Sequence, residues 1–458
     1  MDHASLPETK VDIVIVGGGV SGSMAAIAAA RSGASTLLIE EHGFLGGSLT
    51  AMGVGPMMSF HNAAGEQVVK GLPDELIRRL QKRGASPGHI PDTTTYCHTV
   101  TPFDSEELKI ELETMLEEAG GTVLFHTQLA SVECSKKRIS RLQVCNKSGL
   151  TGIVGRVFID ATGDGDLAAL AGAAFEHGRP SDHATQPMTM NLKLGNVDTQ
   201  AIRQYAMKHP KNFLWEHGFE EGLNRLQTAP QISLAGYLAE WNSARNQGDI
   251  HIPRDQVLFF ETATPGVVIV NTSRILSLDP TNPYDLSRAE TIGRRQCAEL
   301  FRFLRKYCIG FAHAIRMDTS AKVGVRESRH ICGLYTLTAD DLETGRHFED
   351  VIACGGYPID IHSPDGEKTE STHVAKKLSY EIPMRCLMVP HVENLIVVGR
   401  CISATHEASA AIRVTPIAMA IGHAGGILAA EALCHEDHPQ KTPYPVIAQT
   451  LRNQGAVL

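Results

Sequence analysis

The chain has 458 residues, enough for two or three domains of ordinary size. Its formal net charge of −9, with no Lys/Arg-rich run, argues against a polyanion-binding surface and leaves nucleic acid off the expected partners. Ten cysteines lie scattered with no C-x-x-C pair, which reads as reduced thiols in a cytoplasmic protein and weakens a dithiol–disulfide reductase reading.

The first ten residues, MDHASLPETK, are polar and lack the apolar core of a secretory leader. Val11–Val16 is an apolar, β-branched run that suits a buried parallel strand. Gly17, Gly19 and Gly22 follow as G-x-G-x-x-G, and Val20–Arg31 predicts a helix ended by Gly33. Ser35–Ile39 is a second strand with Glu40 at its end. Each position has a physical job in binding a dinucleotide. Gly17 permits a tight turn, Gly19 lets a pyrophosphate approach the backbone, and Gly22 lets helix pack on strand. The helix start offers free N–H groups to the phosphates, and Glu40 accepts from a ribose diol. Gly46–Gly47 add a second side-chain-free loop, the room a flavin ring needs.

Asp104 and Glu107 make a capping-box-like start for a helix with Leu108, Leu112, Met115, Leu116 and Ala119 on one face, ended by Gly120–Gly121. Leu124–Phe125, Ser131–Cys134 and Ile139–Val144 predict a three-strand meander with a polar hairpin at Ser135–Arg138. Val157–Ile159 is a returning strand that ends in Ala161-Thr162-Gly163. GDGDLA at Gly163–Ala168 lacks a third glycine, so no second nucleotide domain is expected.

From Gly178 to about Tyr380 the pattern changes. Pro187–Gly195 alternates as a half-buried strand, and Val257–Glu261 with Val267–Asn271 read as a pair joined at Pro265–Gly266. Leu286–Cys308 predicts a long helix, and Val323–Leu337 another alternating strand. Asn394–Arg400, NLIVVGR, is again a buried strand ending in glycine, so the chain returns to its nucleotide half. Val414–Cys434 is long and mostly apolar, but Pro416, His423, Glu431 and three glycines favour a central buried helix over a membrane span. His435 and His438 stand three apart near a polar end, not as H-E-x-x-H, so no metal site is expected.

GGGVSG, the LGG loop, the ATG strand end and NLIVVGR together resemble FAD-dependent oxidoreductases of the glutathione-reductase-type Rossmann superfamily. Longer stretches, among them LGGSLTAMGVGPMMSF, FIDATGDGDLAALAG and VGRCISATHEASAAIRVTPIAMAIGHAGG, resemble one bacterial family related to fumarate reductase flavoproteins and, more distantly, to tRNA-modifying ones. The resemblance runs from residue 11 to about 430. It implies an α/β fold: a three-layer Rossmann-type FAD-binding domain at 1–177 and 381–458, with an inserted α/β substrate domain at 178–380. It also implies the FAD contacts. Gly17, Gly19, Val20, Ser21 and Gly22 would hold the pyrophosphate, and Glu40 the adenosine ribose. Gly46, Gly47 and Ser48 would lie along the ribityl chain and ring, and the Leu129 backbone would meet the adenine. Ala161, Thr162 and Gly163 would close over the pyrophosphate side, with Gly399 and Arg400 near the ribityl phosphate. The helix starting near Val414 and Pro416 would aim its positive end at the flavin pyrimidine edge.

Flavin chemistry needs a substrate carbon near N5 and a group that moves a proton. His406 follows the returning strand, as a general acid or base or as a structural histidine, with Glu407 beside it. Arg413 precedes the flavin-facing helix, to bind a substrate carboxylate or to form an internal salt bridge. Arg329, near Arg326 and Glu327, reaches the site or locks domains together. His61 follows the glycine-rich loop, where a covalent flavin link is conceivable, and Cys401 reads as packing. The expected function is hydride transfer between a small polar metabolite and flavin N5. Its rivals are a fumarate-reductase-like ene reductase, a tRNA-modifying flavoprotein and a non-catalytic flavoprotein. The expected partners are a small-molecule substrate and an external electron acceptor or NAD(P)H, with no membrane and the oligomeric state left open.

Overall fold

Ile13–Val16 (β1) is apolar at every position and buried at every position, the signature of a central parallel strand. The computed structural model describes residues 8–366, 369–372 and 378–458; the polar residues 1–7 lie outside them. β1 turns at Gly17 into Val20–Arg31 (α1), the span the sequence predicts, and returns as Thr36–Ile39 (β2). Thr122–Leu124 (β3), Val157–Asp160 (β4) and Leu395–Val397 (β5) join them in a parallel sheet ordered β5-β4-β1-β2-β3. Val157 pairs with Ile13, Phe158 with Leu395, and Ile39 with Leu124.

Thr415–Ala432 (α2) is the long Ala/Gly-rich segment, and it lies inside the core against α1. Glycines set that distance. A Cβ on Gly422 would stand 2.1 Å from the Ser21 carbonyl oxygen, and one on Gly426 2.2 Å from that of Ala25. Among the described residues no single helix is long and apolar enough to cross a membrane.

The meander differs from the expected one by a strand. Leu124 belongs to the parallel sheet, because the helix Ser105–Glu118 feeds Thr122–Leu124 in beside β2 as a crossover. The meander is Gln128–Ser135, Arg138–Asn146 and Gly149–Val154, and Glu8–Lys10 extends it. Its first turn is Lys136–Lys137, both at positive φ, as a tight hairpin requires. Asp104 does cap its helix, accepting from the N–H groups of Glu106 and Glu107.

A second core is built by residues 190–314 around an antiparallel sheet ordered 213–214, 233–236, 257–261, 268–270, 192–195, 315–319. Pro283–Tyr307 covers it, and Trp241 meets Phe303 edge to face at 5.3 Å. The unit with its own core is thus shorter than the expected 178–380, since side chains from Ile331 to Ile382 pack into the first core. Two further expectations change. Only Leu192–Gly195 of the predicted strand at Pro187–Gly195 is regular; Met188 and Thr189 make single bridges. Of Val323–Leu337 only Arg329–Ile331 is a strand. Its polar side chains are used as inward ties, Arg326 to the Pro187 carbonyl and Ser328 to Asp164, so the alternation does not mark a sheet face.

Candidate active site

A cavity of about 960 Å³ opens at the carboxyl end of the parallel sheet and runs to the sheet of the second core. This is where open α/β sheets bind ligands. At the nucleotide end, Gly17 has φ +101°, and a Cβ there would meet the Ala161 carbonyl oxygen at 2.5 Å. The first turn of α1 has no side-chain cap, and a Cβ on its N-cap residue Gly19 would meet nothing nearer than the Gly47 Cα at 4.0 Å. The uncapped N–H groups therefore face a cradle that no side chain fills, which fits a pyrophosphate. The Glu40 carboxylate accepts from the Gly18 N–H at 2.6 Å and the His42 N–H at 2.9 Å, and a carboxylate has lone pairs left for a diol. Buried Asp160 orders the Ala161–Gly163 turn, accepting from Thr162 and from the Ala168 N–H at 2.8 Å. Burial pushes its carboxyl up to about 6.

Of the expected FAD contacts, Gly17, Gly19, Val20, Ser21, Glu40, Gly47, Ser48, Leu129, Ala161, Thr162, Gly163, Gly399, Arg400 and Val414 line the cavity. Gly22 and Gly46 do not. A Cβ on Gly22 would lie 1.8 Å from the Gly17 carbonyl oxygen, so its role is packing, and Gly46 pairs its N–H with the Gly18 carbonyl at 2.9 Å.

The three catalytic candidates separate. Arg413 lines the cavity. Arg329 also borders it, but its guanidinium is held by Asp166 at 2.8 Å and the Asp164 carbonyl at 3.0 Å, the domain-locking role. His406 is buried away from the cavity. Its Nδ1 donates to Glu327 Oε1 at 2.6 Å, and His330 Nε2 donates to the same oxygen at 2.9 Å. Glu327 is fully buried. Burial pushes its carboxyl up, but the two imidazole bonds outweigh that and bring it down to about 2. A buried carboxylate needs these donors, so His406 is structural. His61 also lies off the cavity, 5.0 Å from the ring of His89 and bonded to Thr99. Among the described residues no cluster of metal-ligand type occurs.

The far end holds residues with no motif to announce them. Arg254, Gln256, Asn271, Lys322, Arg326, Tyr357, Asp360 and His362 all line it or the passage to it. Tyr357 donates to Asp360 at 3.2 Å, Arg413 stands 3.5 Å from Asp360, and His362 Nε2 3.3 Å. Burial pushes the Asp360 carboxyl up, yet His362, Arg413 and Arg326 hold it well below the usual range. Burial and then the Arg326 guanidinium push the His362 imidazole down to about 3, so it is neutral at pH 7. Lys322 Nζ donates to Glu41 at 2.8 Å.

A model of the family described as FAD dependent oxidoreductase matches residues 12–451. The chain belongs to this family. Its cofactor is FAD, and the open cradle at α1 suits that cofactor. No curated protein matches the oxidoreductase's sequence. Among solved structures it is similar to a geranylgeranyl bacteriochlorophyll reductase-like protein from Thermoplasma acidophilum, at 13% identity and a TM-score of 0.47 over 98% of this chain and 85% of that one. L-proline dehydrogenase from P. horikoshii aligns at 14% identity and a TM-score of 0.45, over 98% of this chain and 99% of that one. Flavin-dependent brominase Bmp2 aligns at 13% and 0.46, over 97% and 83%.

Proposed function

We propose that this oxidoreductase moves a hydride between a small polar metabolite, seated at the far end of the cavity, and its cofactor. When bound, FAD supplies the two-electron acceptor or donor. The observation that carries the reading is one continuous cavity. It joins the α1 cradle to a polar end where Arg254, Arg326, Arg413, Asp360 and His362 converge. Oxidising a carbon that bears a hydroxyl or an amine releases a proton along with the hydride, so a base is needed there. We assign that proton to His362. Its imidazole is neutral because burial and Arg326 depress it, and a negative group set against Arg326 lifts it toward the working range.

The same convergence of arginines and a histidine favours one second reading, the reduction of an unsaturated acid. The scattered free cysteines support a cytoplasmic setting, and the lack of a second G-x-G-x-x-G supports an external electron acceptor. The test is anaerobic absorbance of the FAD-loaded protein against sugars, polyols, hydroxy acids and amines. Bleaching by one class supports oxidation. Failure of all of them, with reoxidation of the dithionite-reduced protein by an unsaturated acid, moves the assignment to the second reading.

A further inference from the structure

The two ends of the cavity differ in charge balance. At the nucleotide end every lining carboxylate has a cationic or N–H partner: Glu40 with His42 and Gly18, Glu41 with Lys322, Asp164 with Arg400, and Asp166 with Arg329. At the far end Arg254, Arg326 and Arg413 line the wall, and Arg274 stands close enough to bear on Arg326. Asp360 is the carboxylate among them; Asp255 and Glu216 are exposed at the margin.

The guanidiniums are also short of partners. Arg254 is 5% exposed, its Nε is buried without a hydrogen bond, and among the described residues its guanidinium has no hydrogen bond or ion pair. Arg413 Nε is likewise buried and unbonded. Among the described residues Arg326 donates to neutral acceptors, the Pro187 carbonyl at 2.6 Å and the Thr189 hydroxyl at 2.7 Å. Guanidiniums do not deprotonate in proteins, so buried Arg254 with half-buried Arg326 and Arg413, facing one carboxylate, leave an excess of positive charge. Among the described residues nothing offsets it.

We propose that the substrate is a small organic acid, and that its carboxylate is seated by Arg254 with Arg326 and Arg413. The planar guanidinium fork matches a carboxylate in two hydrogen bonds, and Gln256 and Asn271 supply neutral polar groups on the same walls. Leu258 and Phe260, on the strand that follows Arg254, offer apolar surface for the carbon skeleton. This deepens the proposed function and rests on it for the identity of the reacting molecule, though not for the binding itself.

The test uses the FAD-loaded protein and its flavin difference spectrum and melting temperature. The probes are acetate, malonate and succinate, their amides, and inorganic phosphate, all at one ionic strength. The carboxylates are expected to shift both readouts and the amides to shift neither. Arg254→Gln is expected to weaken carboxylate binding at least tenfold, with equal FAD content and a melting temperature no lower than wild type. Arg254→Lys keeps the charge without the fork and is expected to weaken binding severalfold, which covers the case of a misfolded Gln variant. Equal binding of acids and amides overturns the proposal, as does binding of phosphate alone. A lower melting temperature with unchanged acid affinity in Arg254→Gln makes the residue structural and also overturns it. Bleaching by a neutral polyol without acid binding sinks this proposal and leaves the oxidoreductase reading intact. Acid binding with no metabolite turned over does the reverse.

Discussion

Glu327 shows how a residue's environment decides its role. Its carboxylate sits in a fully buried pocket and takes hydrogen bonds from His330, His406 and the Gln186 N–H at 3.0 Å. A carboxyl held near 2 when folded and near 4.5 when unfolded stabilises the native state above pH 4.5, and that contribution fades as pH falls toward 2. The difference corresponds to something on the order of 3 kcal/mol at neutral pH. Glu327→Gln is therefore expected to lower the urea midpoint clearly at pH 7 and much less near pH 2, where the folded wild-type carboxyl gains its proton. An equal loss at both values would mean that shape, not charge, is what matters there. His406 does follow the returning strand, but no residue from Cys401 to Ile412 lines the cavity, and the His406 ring is tied to Glu327 in the core. Nothing in SATHEA tells the two apart.

At the scale of elements, the packing of α1 on α2 is the contact that brings the N-terminal and C-terminal parts of the nucleotide half together. Gly422 and Gly426 let the backbones touch. Gly426→Ala gains about 1 kcal/mol in helix propensity but drives a methyl into the Ala25 carbonyl, an overpacking cost of about 1–3 kcal/mol. The expected net result is a lower melting temperature; a higher one would show that the helices separate freely. Elements with a single strong cue were legible in the sequence. β1, α1 and β2 carry glycines at fixed offsets, and Asp104 marks a helix start. Leu124 and the Val323–Leu337 run were misread for a shared reason. Periodicity reports which residues are buried, and it does not say which sheet receives a strand or whether a polar side chain is tied inward.

At the scale of the molecule, the two larger cores meet around the cavity, and the halves of the site differ in how far the sequence discloses them. Half of the expected FAD contacts on the cavity wall are local, written within the strand, turn, helix and loop from Gly17 to Ser48; the other half, from Leu129 to Val414, come from motifs that resemble a family. The far end is assembled from residues 254, 326, 360, 362 and 413, on segments that only the fold brings together. Arg413 stands out in the sequence by its place before the flavin-facing helix, whereas Arg254, Asp360 and His362 carry no local signal until the fold brings them to one wall. Ties such as Lys322 to Glu41, and Arg400 with Ser328 to Asp164, connect the segments around the passage.

The most direct test of the account is the FAD content of purified Gly19→Leu beside wild type. Gly19 has an ordinary backbone, φ −61° and ψ 177°, and a Cβ there meets nothing nearer than 4.0 Å, so the backbone accepts a side chain and a leucine is expected to fill the cradle. Wild type is expected to hold equimolar FAD, and the variant to be folded, with an unchanged far-UV circular dichroism spectrum, but nearly free of flavin. A folded Gly19→Leu that retains FAD at the wild-type level would contradict the placement of the cofactor at the start of α1.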